Sequence, residues 1–239
     1  MKIALVGYGK MGKEIEKIAI ERNHEVVVKI GVDNLGDFTT ENLSKADVAI
    51  EFTTPESAVD NIKKCFTANL PVVIGTTGWL SHLGEIQAIC EKEGKAMLHS
   101  SNFSVGVNLF FELNKQLAKI MNHQKEYDVE MEETHHTQKL DAPSGTAITL
   151  AEDLLDIIEK KDKWVKENTG APNEMAIKSH RVENVPGTHI IRYTSPIDDI
   201  EISHTAHSRK GFALGAVIAA EFLNGKKGIY DMSDVLKIN

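Results

Sequence analysis

The sequence has few features of a secreted, membrane or metal-scaffolded protein. It contains only two cysteines, Cys65 and Cys90, both in helix-like contexts and without a further pair at metal-ligand spacing. Two isolated thiols suit a reducing compartment. No apolar stretch approaches bilayer length, and the first apolar run, IALVG, is too short for the core of a signal peptide. We therefore expect a cytoplasmic protein with no membrane partner.

A basic surface, repeats and low-complexity tracts are absent as well. The formal net charge is -8 over 239 residues, whereas nucleic-acid binding depends on concentrated positive charge. We therefore expect no nucleic-acid partner, and local positive groups must hold any anionic ligand. The hydrophobic fraction of 41% is enough to fill a sizeable core in a chain of this length.

What the chain does contain, up to about residue 100, is a regular alternation of short β-branched runs and amphipathic helical segments. Such alternation requires crossover connections and predicts an α/β fold with a doubly wound parallel sheet of the Rossmann type. Beyond residue 103 we predict a helix over 105–121, a strand in YDVEMEET, a helix ending near 160, a loop in KDKWVKENTGAPNEM, three consecutive strands and a buried helix over 212–223. Consecutive strands predict a second domain of α+β type with a mixed sheet.

Three glycines, Gly7, Gly9 and Gly12, stand between the opening strand and the first helix in GYGKMG. Glycines at this place let the backbone approach a pyrophosphate, and the helix N-terminus stabilises its charge. The pattern favours a dinucleotide site over a purely structural tight turn.

The choice between the two nicotinamide dinucleotides stays open. The acidic residue that clamps the adenosine ribose normally ends the second strand, but Gly31 stands there and Asp33 follows two residues later. Asp33 suits NADH, whereas Lys10 and Lys13 are equally able to accept a 2′-phosphate. Either NADH or NADPH therefore fits.

Two further segments follow predicted strands of the first sheet, GTTG at 75–78 and SSNFSVG at 100–106. At the carboxyl ends of parallel strands, backbone amides and small hydroxyls line the ligand crevice. We expect Thr76 and Thr77 to face the cofactor. The alternative is a plain strand-to-helix turn with Ser81 capping the next helix.

The segment HHTQKLDAPSGTA, residues 135–147, gathers ionisable groups ahead of a helix. Alternation along YDVEMEETHH predicts one strand face with Val129, Met131, Glu133 and His135, and places His136 on the other face. Two adjacent histidines of a regular strand cannot share a site. Either the strand ends near residue 134, or only one histidine takes part in the chemistry.

Pro143 predicts a helix start, with the following three residues in its first turn. Free amides at that helix end can bind a carboxylate or phosphate. Lys139 adds a positive charge and a proton source, and histidine exchanges protons near neutral pH. Asp141 either caps the helix, which we favour, or orients Lys139.

Two other interpretations compete with this one. The segment is also compatible with an ordinary solvated strand end before a capped helix. A metal site would combine both histidines with two later ones, His135, His136, His204 and His207. In a strand, HTAH points its two histidines to opposite faces, and no cysteine or ordered carboxylate set completes the ligand shell. We therefore expect no metal.

These residues resemble the signature of the dihydrodipicolinate reductase family. The likeness runs in order through VGYGKMG, IEFTTPES, VVIGTTG, SNFSVGVN, ETHHTQKLDAPSGTA, EISHTAHSRKGFALGAVIAA and GIYDMSDVL. It implies a dinucleotide-binding domain at 1–103 plus 215–239, and a substrate-binding and oligomerisation domain at 104–214. It also implies NADH or NADPH as cofactor, a cyclic dicarboxylate as substrate and a homotetramer. Gly31 and the lysines of the phosphate loop depart from the family pattern.

The resemblance implies residue roles as well. His135 would be a proton donor or acceptor and Lys139 the catalytic proton donor, while His136, Gly145 and Thr146 would hold the substrate carboxylates. The residues implied to line the cofactor are Gly7, Tyr8, Gly9, Lys10, Met11, Gly12, Asp33, Gly75, Thr76, Thr77, Ser100, Ser101, Asn102 and Phe103.

The implied reaction is NAD(P)H-dependent reduction of 4-hydroxy-tetrahydrodipicolinate to tetrahydrodipicolinate with loss of water, in lysine and diaminopimelate biosynthesis. The cofactor would deliver hydride to C4, and the protein would supply position and protons. Three alternatives stay open: another two-domain amino-acid or imino-acid dehydrogenase similar to aspartate dehydrogenase, a dinucleotide sensor without turnover, and a metal-dependent hydrolase that chelators would inactivate.

Overall fold

The computed structural model describes residues 1–169, 171–208 and 210–238. Residues 170, 209 and 239, which fall within the predicted loop and domain ranges, lie outside that part. The chain divides into two compact units, Met1–Asn108 with Lys210–Asn239, and Leu109–Arg209. The first division falls inside a continuous helix, α5 (Val105–Met121). The helical periodicity of the sequence does not change at that point. The sequence therefore gives no signal that the chain passes from the first unit to the second there.

Six parallel strands form the sheet of the first unit, in the order β11-β5-β4-β3-β1-β2. The chain passes from β1 to β2 and then crosses to β3 on the other side, so the strand order reverses between β1 and β3. The predicted Rossmann-type doubly wound sheet is confirmed. Its strands are β1 (Lys2–Val6), β2 (Glu25–Ile30), β3 (Val48–Glu51), β4 (Val72–Ile74), β5 (Ala96–His99) and β11 (Gly228–Tyr230).

Helices cover both faces of this sheet because successive strand residues point to opposite sides. From β1, Ile3 and Leu5 enter a core shared with α1 and α7, whereas Ala4 and Val6 enter a core shared with α3 and α4. The helices are α1 (Lys10–Glu21), α2 (Thr40–Leu43), α3 (Pro55–Thr67), α4 (Leu83–Lys92), α7 (Lys210–Leu223) and α8 (Met232–Leu236), and 3-10 helices span Val32–Asp37 and Leu80–His82.

The apolar helix α7 is buried, as predicted. Its Gly215 lies so close to the backbone of Phe103 that an added Cβ would be 1.6 Å from the Phe103 carbonyl oxygen. Packing within the core of the first unit therefore explains its apolar composition. Among the described residues, no helix combines the length and the apolar character needed to cross a bilayer.

The second unit contains a mixed five-stranded sheet in the order β10-β9-β6-β8-β7. Strands β10, β9 and β6 pair antiparallel, whereas β6, β8 and β7 pair parallel, which confirms the predicted mixed sheet. The elements are β6 (Asp128–His135), α6 (Gly145–Leu155), β7 (Lys163–Lys166), β8 (Glu174–Arg181), β9 (Gly187–Thr194) and β10 (Asp199–Ala206).

Two local predictions in this unit are wrong. The segment read entirely as loop contains β7, whose only apolar residues, Trp164 and Val165, are half-buried at the sheet edge. So short an apolar pair between lysines carries no period-two signal. Helix α6 ends at Leu155 rather than near residue 160. By contrast, the alternation predicted along β6 is confirmed, because Val129 and Met131 are buried in the core of this unit.

Candidate active site

The glycine turn of the first unit follows β1 at the switch point of the sheet. Gly7 has a φ of +98°, and a Cβ there would lie 1.9 Å from the carbonyl oxygen of Phe52. A Cβ on Gly12 would lie 2.3 Å from the Gly7 oxygen, whereas one on Gly9 would meet nothing within 4 Å. Two glycines thus permit close packing, and the third leaves the space above the turn open.

The amides of this turn leave donors for an anion. Gly7 and Tyr8 donate their amides to the carbonyl of Ile30 at 2.9 and 3.0 Å. The amides of residues 9 to 12 have no acceptor among the described residues, and the N-cap Gly9 supplies no side chain. Four free amides at a helix N-terminus fit the pyrophosphate of a dinucleotide.

The region around β2 leaves cofactor preference open. Asp33 is exposed within the 3-10 helix, and Lys10 and Lys13 are exposed as well. The Gly31 amide donates to the side-chain oxygen of Asn34 at 2.7 Å. The sequence did not reveal this contact, which satisfies the amide at the end of the strand.

The GTTG segment follows β4 with its two threonines in different environments. Thr77 is exposed, but Thr76 is buried, and its hydroxyl accepts the Thr53 amide at 2.7 Å. The carbonyl of Thr76 accepts the Trp79 indole N–H at 2.8 Å. The cofactor contact of Thr76 stays a prediction, and in the structure its hydroxyl binds the neighbouring turn at Thr53. The alternative with a Ser81 cap is wrong, since neither following helix has a side-chain cap.

The segment after β5 is similarly divided. The Ser100 hydroxyl donates to the Asn102 carbonyl at 2.7 Å, and the Asn102 side chain accepts the Ser104 amide at 2.9 Å. Ser101 is exposed, whereas Phe103 is 2% exposed and packs against Phe52 with ring centroids 5.8 Å apart. The Phe103 ring therefore belongs to the core, and its neighbours supply the polar groups.

A buried carboxylate that the sequence did not single out lies beside these turns. Glu51 ends β3, is fully buried, and accepts hydrogen bonds from Thr53 and from Asn61, the latter at 3.3 Å. Its second oxygen has no partner among the described residues. Burial raises the pKa of Glu51, while hydrogen bonds from Thr53, Thr76 and Asn61 oppose this effect.

In the second unit, the predicted site residue His135 lies beside a second buried carboxylate, Glu133 of β6. Its oxygens accept the Ser144 amide at 3.0 and 3.1 Å and the Ser179 hydroxyl at 2.9 Å. The guanidinium of Arg181 lies 3.4 Å away. Burial opposes ionisation, but His135, Ser144 and Ser179 together hold the pKa of Glu133 well below its usual range. The carboxylate is therefore ionised at neutral pH.

His135 lies against this carboxylate. Its Nδ1 is 3.4 Å from a Glu133 oxygen, which is an ion-pair distance without the alignment of a hydrogen bond. His189 of β9 packs edge-on against the His135 ring, with centroids 5.1 Å apart, and its Nε2 is 3.2 Å from the Ser144 hydroxyl. Burial, followed by the neighbouring His135, lowers the pKa of His189 to about 4.

The N-terminus of α6 differs from the prediction. Ser144 is the N-cap, its hydroxyl accepting the Ala147 amide at 3.2 Å, and the helix begins at Gly145. Pro143 thus precedes the helix rather than starting it, and Asp141 does not cap it. The amides of Gly145 and Thr146 have no acceptor within the described part of the chain, so two donors remain for an anionic ligand.

Asp141 instead pairs with Lys139, whose ammonium lies 2.9 Å from its carboxylate. The orienting role that we ranked second is therefore the one observed. This hydrogen bond lowers the pKa of Asp141. Arg181, which the sequence did not single out, holds the same loop by donating to the carbonyls of Lys139 at 3.2 Å and Asp141 at 2.5 Å.

The two adjacent histidines separate, as alternation predicts. His135 is 8% exposed, whereas His136 lines a cavity of about 560 Å³ in the second unit. A cavity of this size suits a small cyclic ligand. Its described lining residues are His136, Thr137, Gln138, Glu183, Asn184, Val185, Pro186 and Ser208. Gly187, which follows the lining residue Pro186, lies against His135. A Cβ added to Gly187 would be 3.0 Å from Nε2 of His135.

One group of described side chains has the composition of a metal site. Glu133, His135 and His189 each offer one ligand atom within 4.8 Å of the others. This differs from the four-histidine set considered from the sequence, since it takes only His135 from that set. The Glu133 oxygens already accept hydrogen bonds from Ser144 and Ser179, whereas Nδ1 of His135 has no hydrogen-bond partner among the described residues.

Comparisons with known proteins agree with these sites. Residues 1–103 match the family model "Dihydrodipicolinate reductase, N-terminus", and residues 106–236 match "Dihydrodipicolinate reductase, C-terminus". The 4-hydroxy-tetrahydrodipicolinate reductase of Christiangramia forsetii is 51% identical over 99% of this chain and 98% of its own. The enzyme of the same name from Neisseria gonorrhoeae is 36% identical over 94% of this chain and 84% of its own.

Solved structures share the fold. A dipicolinate-bound dihydrodipicolinate reductase from Paenisporosarcina sp. TG-14 superposes with a TM-score of 0.80 at 23% identity, covering 97% of both chains. An amine dehydrogenase from Mycobacterium smegmatis superposes with a TM-score of 0.54 at 12% identity, covering 96% of this chain and 94% of its own. The fold is thus common to several dehydrogenases, and the family models are more specific.

Proposed function

The chain belongs to the dihydrodipicolinate reductase family, and from this membership we propose which of its residues carry the reaction. It is an NAD(P)H-dependent 4-hydroxy-tetrahydrodipicolinate reductase of lysine and diaminopimelate biosynthesis. The reduction converts 4-hydroxy-tetrahydrodipicolinate to tetrahydrodipicolinate with loss of water. When bound, NADH or NADPH supplies the hydride. The protein must hold a doubly anionic ring and provide a proton.

The first unit binds the dinucleotide through its glycine turn. The free amides of residues 9 to 12 hold the pyrophosphate, and the open space above Gly9 lets it approach the backbone. The loops after β4 and β5 contribute Thr77, Ser101 and Asn102 as polar contacts. Lys10, Lys13 and Asp33 decide between NADPH and NADH through the adenosine ribose.

The second unit binds the substrate. The amides of Gly145 and Thr146 donate to one carboxylate at the N-terminus of α6, where the positive end of the helix dipole stabilises the negative charge. His136, at the cavity wall, holds the substrate ring through the polar groups of the substrate that the helix amides do not contact. A small-molecule dicarboxylate thus meets two sets of donors within one unit.

Lys139 donates the proton that the reduced ring requires, and His135 exchanges protons beside it. The side chain of Lys139 is 23% exposed and is directed by Asp141, so a substrate can reach its ammonium group. Its positive charge is also close enough to contribute to the lowered pKa of His189. The partly exposed ammonium of Lys139, directed by Asp141, is the observation that carries this assignment.

The Lys139→Ala variant tests it. We expect turnover to fall by about 100-fold or more, the usual contribution of a positioned proton donor, while affinity for NADH changes little. Turnover is measured by coupling a dihydrodipicolinate synthase reaction to loss of nicotinamide absorbance, with NADH and NADPH in parallel. Lys125→Ala, at an exposed lysine of the same unit, is the matched control and should behave as the native protein. Equal losses of turnover and NADH affinity would contradict the role.

We further propose a cytoplasmic homotetramer. The eight-residue strand β10 lies at one edge of its sheet and Ile200 on it is 37% exposed, while Ile197 beside it is 91% exposed. Exposed apolar residues along an edge strand, whose outer side has no partner strand among the described residues, favour association with another copy. Light scattering coupled to size-exclusion chromatography measures the assembly mass.

A further inference from the structure

Glu133 occupies a position that the proposed proton transfer does not by itself explain. It stands two residues before His135 on the same face of β6, and its side chain is completely buried. A buried carboxylate is costly unless hydrogen bonds and opposite charges compensate for its desolvation. The identity and placement of its partners therefore indicate what it does.

Those partners come from elements that are far apart in the sequence. In the register of the sheet, Glu133 lies opposite Ser179 on β8 and opposite His189 on β9. Ser179 donates its hydroxyl at 2.9 Å, and the guanidinium of Arg181 lies 3.4 Å away. The carboxylate is thus satisfied on one side by fixed donors from β8.

Its remaining contacts reach the proposed substrate groups. Both carboxylate oxygens accept the Ser144 amide, at 3.0 and 3.1 Å, directly before the free amides of Gly145 and Thr146. Arg181, at ion-pair distance, also donates to the carbonyls on either side of Leu140, in the loop that carries Lys139. One carboxylate therefore connects the helix end and the lysine loop.

The third connection is to His135, whose Nδ1 lies 3.4 Å from Glu133 Oε2. The contact lacks hydrogen-bond alignment, but the negative charge beside this atom favours the tautomer with a proton on Nδ1 and leaves Nε2 as the acceptor. On the other side, Gly187 lies close to Nε2, since an added Cβ would be 3.0 Å away, which is tighter than an ordinary contact. The ring thus lies between the Glu133 carboxylate and Gly187.

We propose that Glu133 is a positioning residue for the reductase reaction: it sets the tautomer and orientation of His135 and fixes the helix amides and the Lys139 loop relative to that ring. The inference rests on the proposed function of His135 and Lys139. A purely structural Glu133 would only satisfy buried donors, and its replacement would affect folding without a specific change at His135.

The test uses Glu133→Gln, which keeps the shape and removes the charge. We expect kcat to fall by about 100-fold, in line with the loss of one oriented proton-transfer group, while KM for the nicotinamide cofactor stays within about twofold. The matched control is Glu132→Gln, a neighbouring glutamate that pairs with Lys178 and Arg192 instead. This control should retain native kcat.

The readout that separates positioning from structure is the imidazole nitrogen spectrum of His135 in the full-length protein. We expect the neutral form of the His135 ring to carry its proton on Nδ1 rather than on Nε2 in the native protein, and a shift toward the other tautomer in Glu133→Gln. A native His135 with its proton on Nε2 overturns the proposal, and this measurement holds even if the variant does not fold. Unchanged kcat in a folded Glu133→Gln overturns it as well.

Two further outcomes are decisive. Stoichiometric zinc in the purified protein, with turnover lost to a chelator, would make Glu133 a metal ligand with His135 and His189 and overturn the positioning role. Absence of turnover in the native protein would defeat the proposed function. Normal native turnover with an unimpaired Glu133→Gln variant would defeat this inference alone.

Discussion

Replacing Gly145 by proline removes one proposed substrate contact while leaving the helix intact. Gly145 is the first residue of α6, and its amide has no acceptor within the described part of the chain. Proline is favoured at this position because it lacks only a hydrogen that the helix does not use. Ser144, with φ -68° and ψ 157°, already has the extended conformation required before proline. The cap and the Glu133 contact of Ser144 are retained.

The magnitude follows from the charge of the ligand. A hydrogen bond to a charged group is worth about 1.5–3 kcal/mol, which corresponds to roughly a 10-fold to 150-fold change in binding. We therefore expect KM for the substrate to rise by that factor in Gly145→Pro. The pyrrolidine ring also occupies the space in front of the backbone nitrogen, which can only weaken substrate binding further. The 10-fold rise in KM is therefore a minimum. Proline reduces the entropy of the unfolded chain, so the melting temperature should not fall.

The assay measures initial rates against substrate concentration at saturating cofactor, together with a thermal melt. Gly145→Ala is the matched control, since it keeps the amide and its Cβ would meet nothing within 4 Å. We expect it to retain native KM. If both variants have the same KM as the native protein, the Gly145 amide does not bind the substrate. If both are impaired alike, space rather than the amide is responsible.

Two further predictions concern the cofactor turn and the buried histidine. Gly7→Ala should destabilise the protein by about 2–5 kcal/mol, because a left-handed φ and an overlap with the Phe52 carbonyl act together. Gly9→Ala, whose Cβ has open space, should have the same melting temperature as the native protein. It should nevertheless raise the Kd for NADH in a fluorescence titration. Equal melting of both variants would contradict the packing argument. The pKa of His189 is about 4 in the folded protein and near 6.5 in the unfolded chain. Between these two pH values the unfolded chain therefore binds more protons than the folded protein. The free energy of unfolding should fall by about 2 kcal/mol from pH 7.5 to pH 5. Urea unfolding at both pH values should show a smaller loss in His189→Gln, and an equal loss would mean that other groups cause it.

The sequence alone predicted the features that depend on neighbouring residues. The glycines after β1 are placed by their own steric needs, since Gly7 and Gly12 leave no room for a Cβ. The faces of β6 follow from period-two alternation, which separated His135 from His136. These patterns were sufficient for the doubly wound sheet, the mixed sheet and most elements, but not for β7, whose two apolar residues are too few to form a pattern.

Tertiary structure alone decided how distant segments meet. The register of β6 with β8 and β9 brings Ser179, Arg181 and His189 around Glu133, and strand register depends on hydrogen bonds between segments that are remote in sequence. The same applies to Asp141. Its local sequence allows a cap or an ion pair equally, and the folded loop, with Ser144 at the cap, determines the ion pair with Lys139. Local sequence thus determines which groups are available, whereas the fold determines which of them become partners.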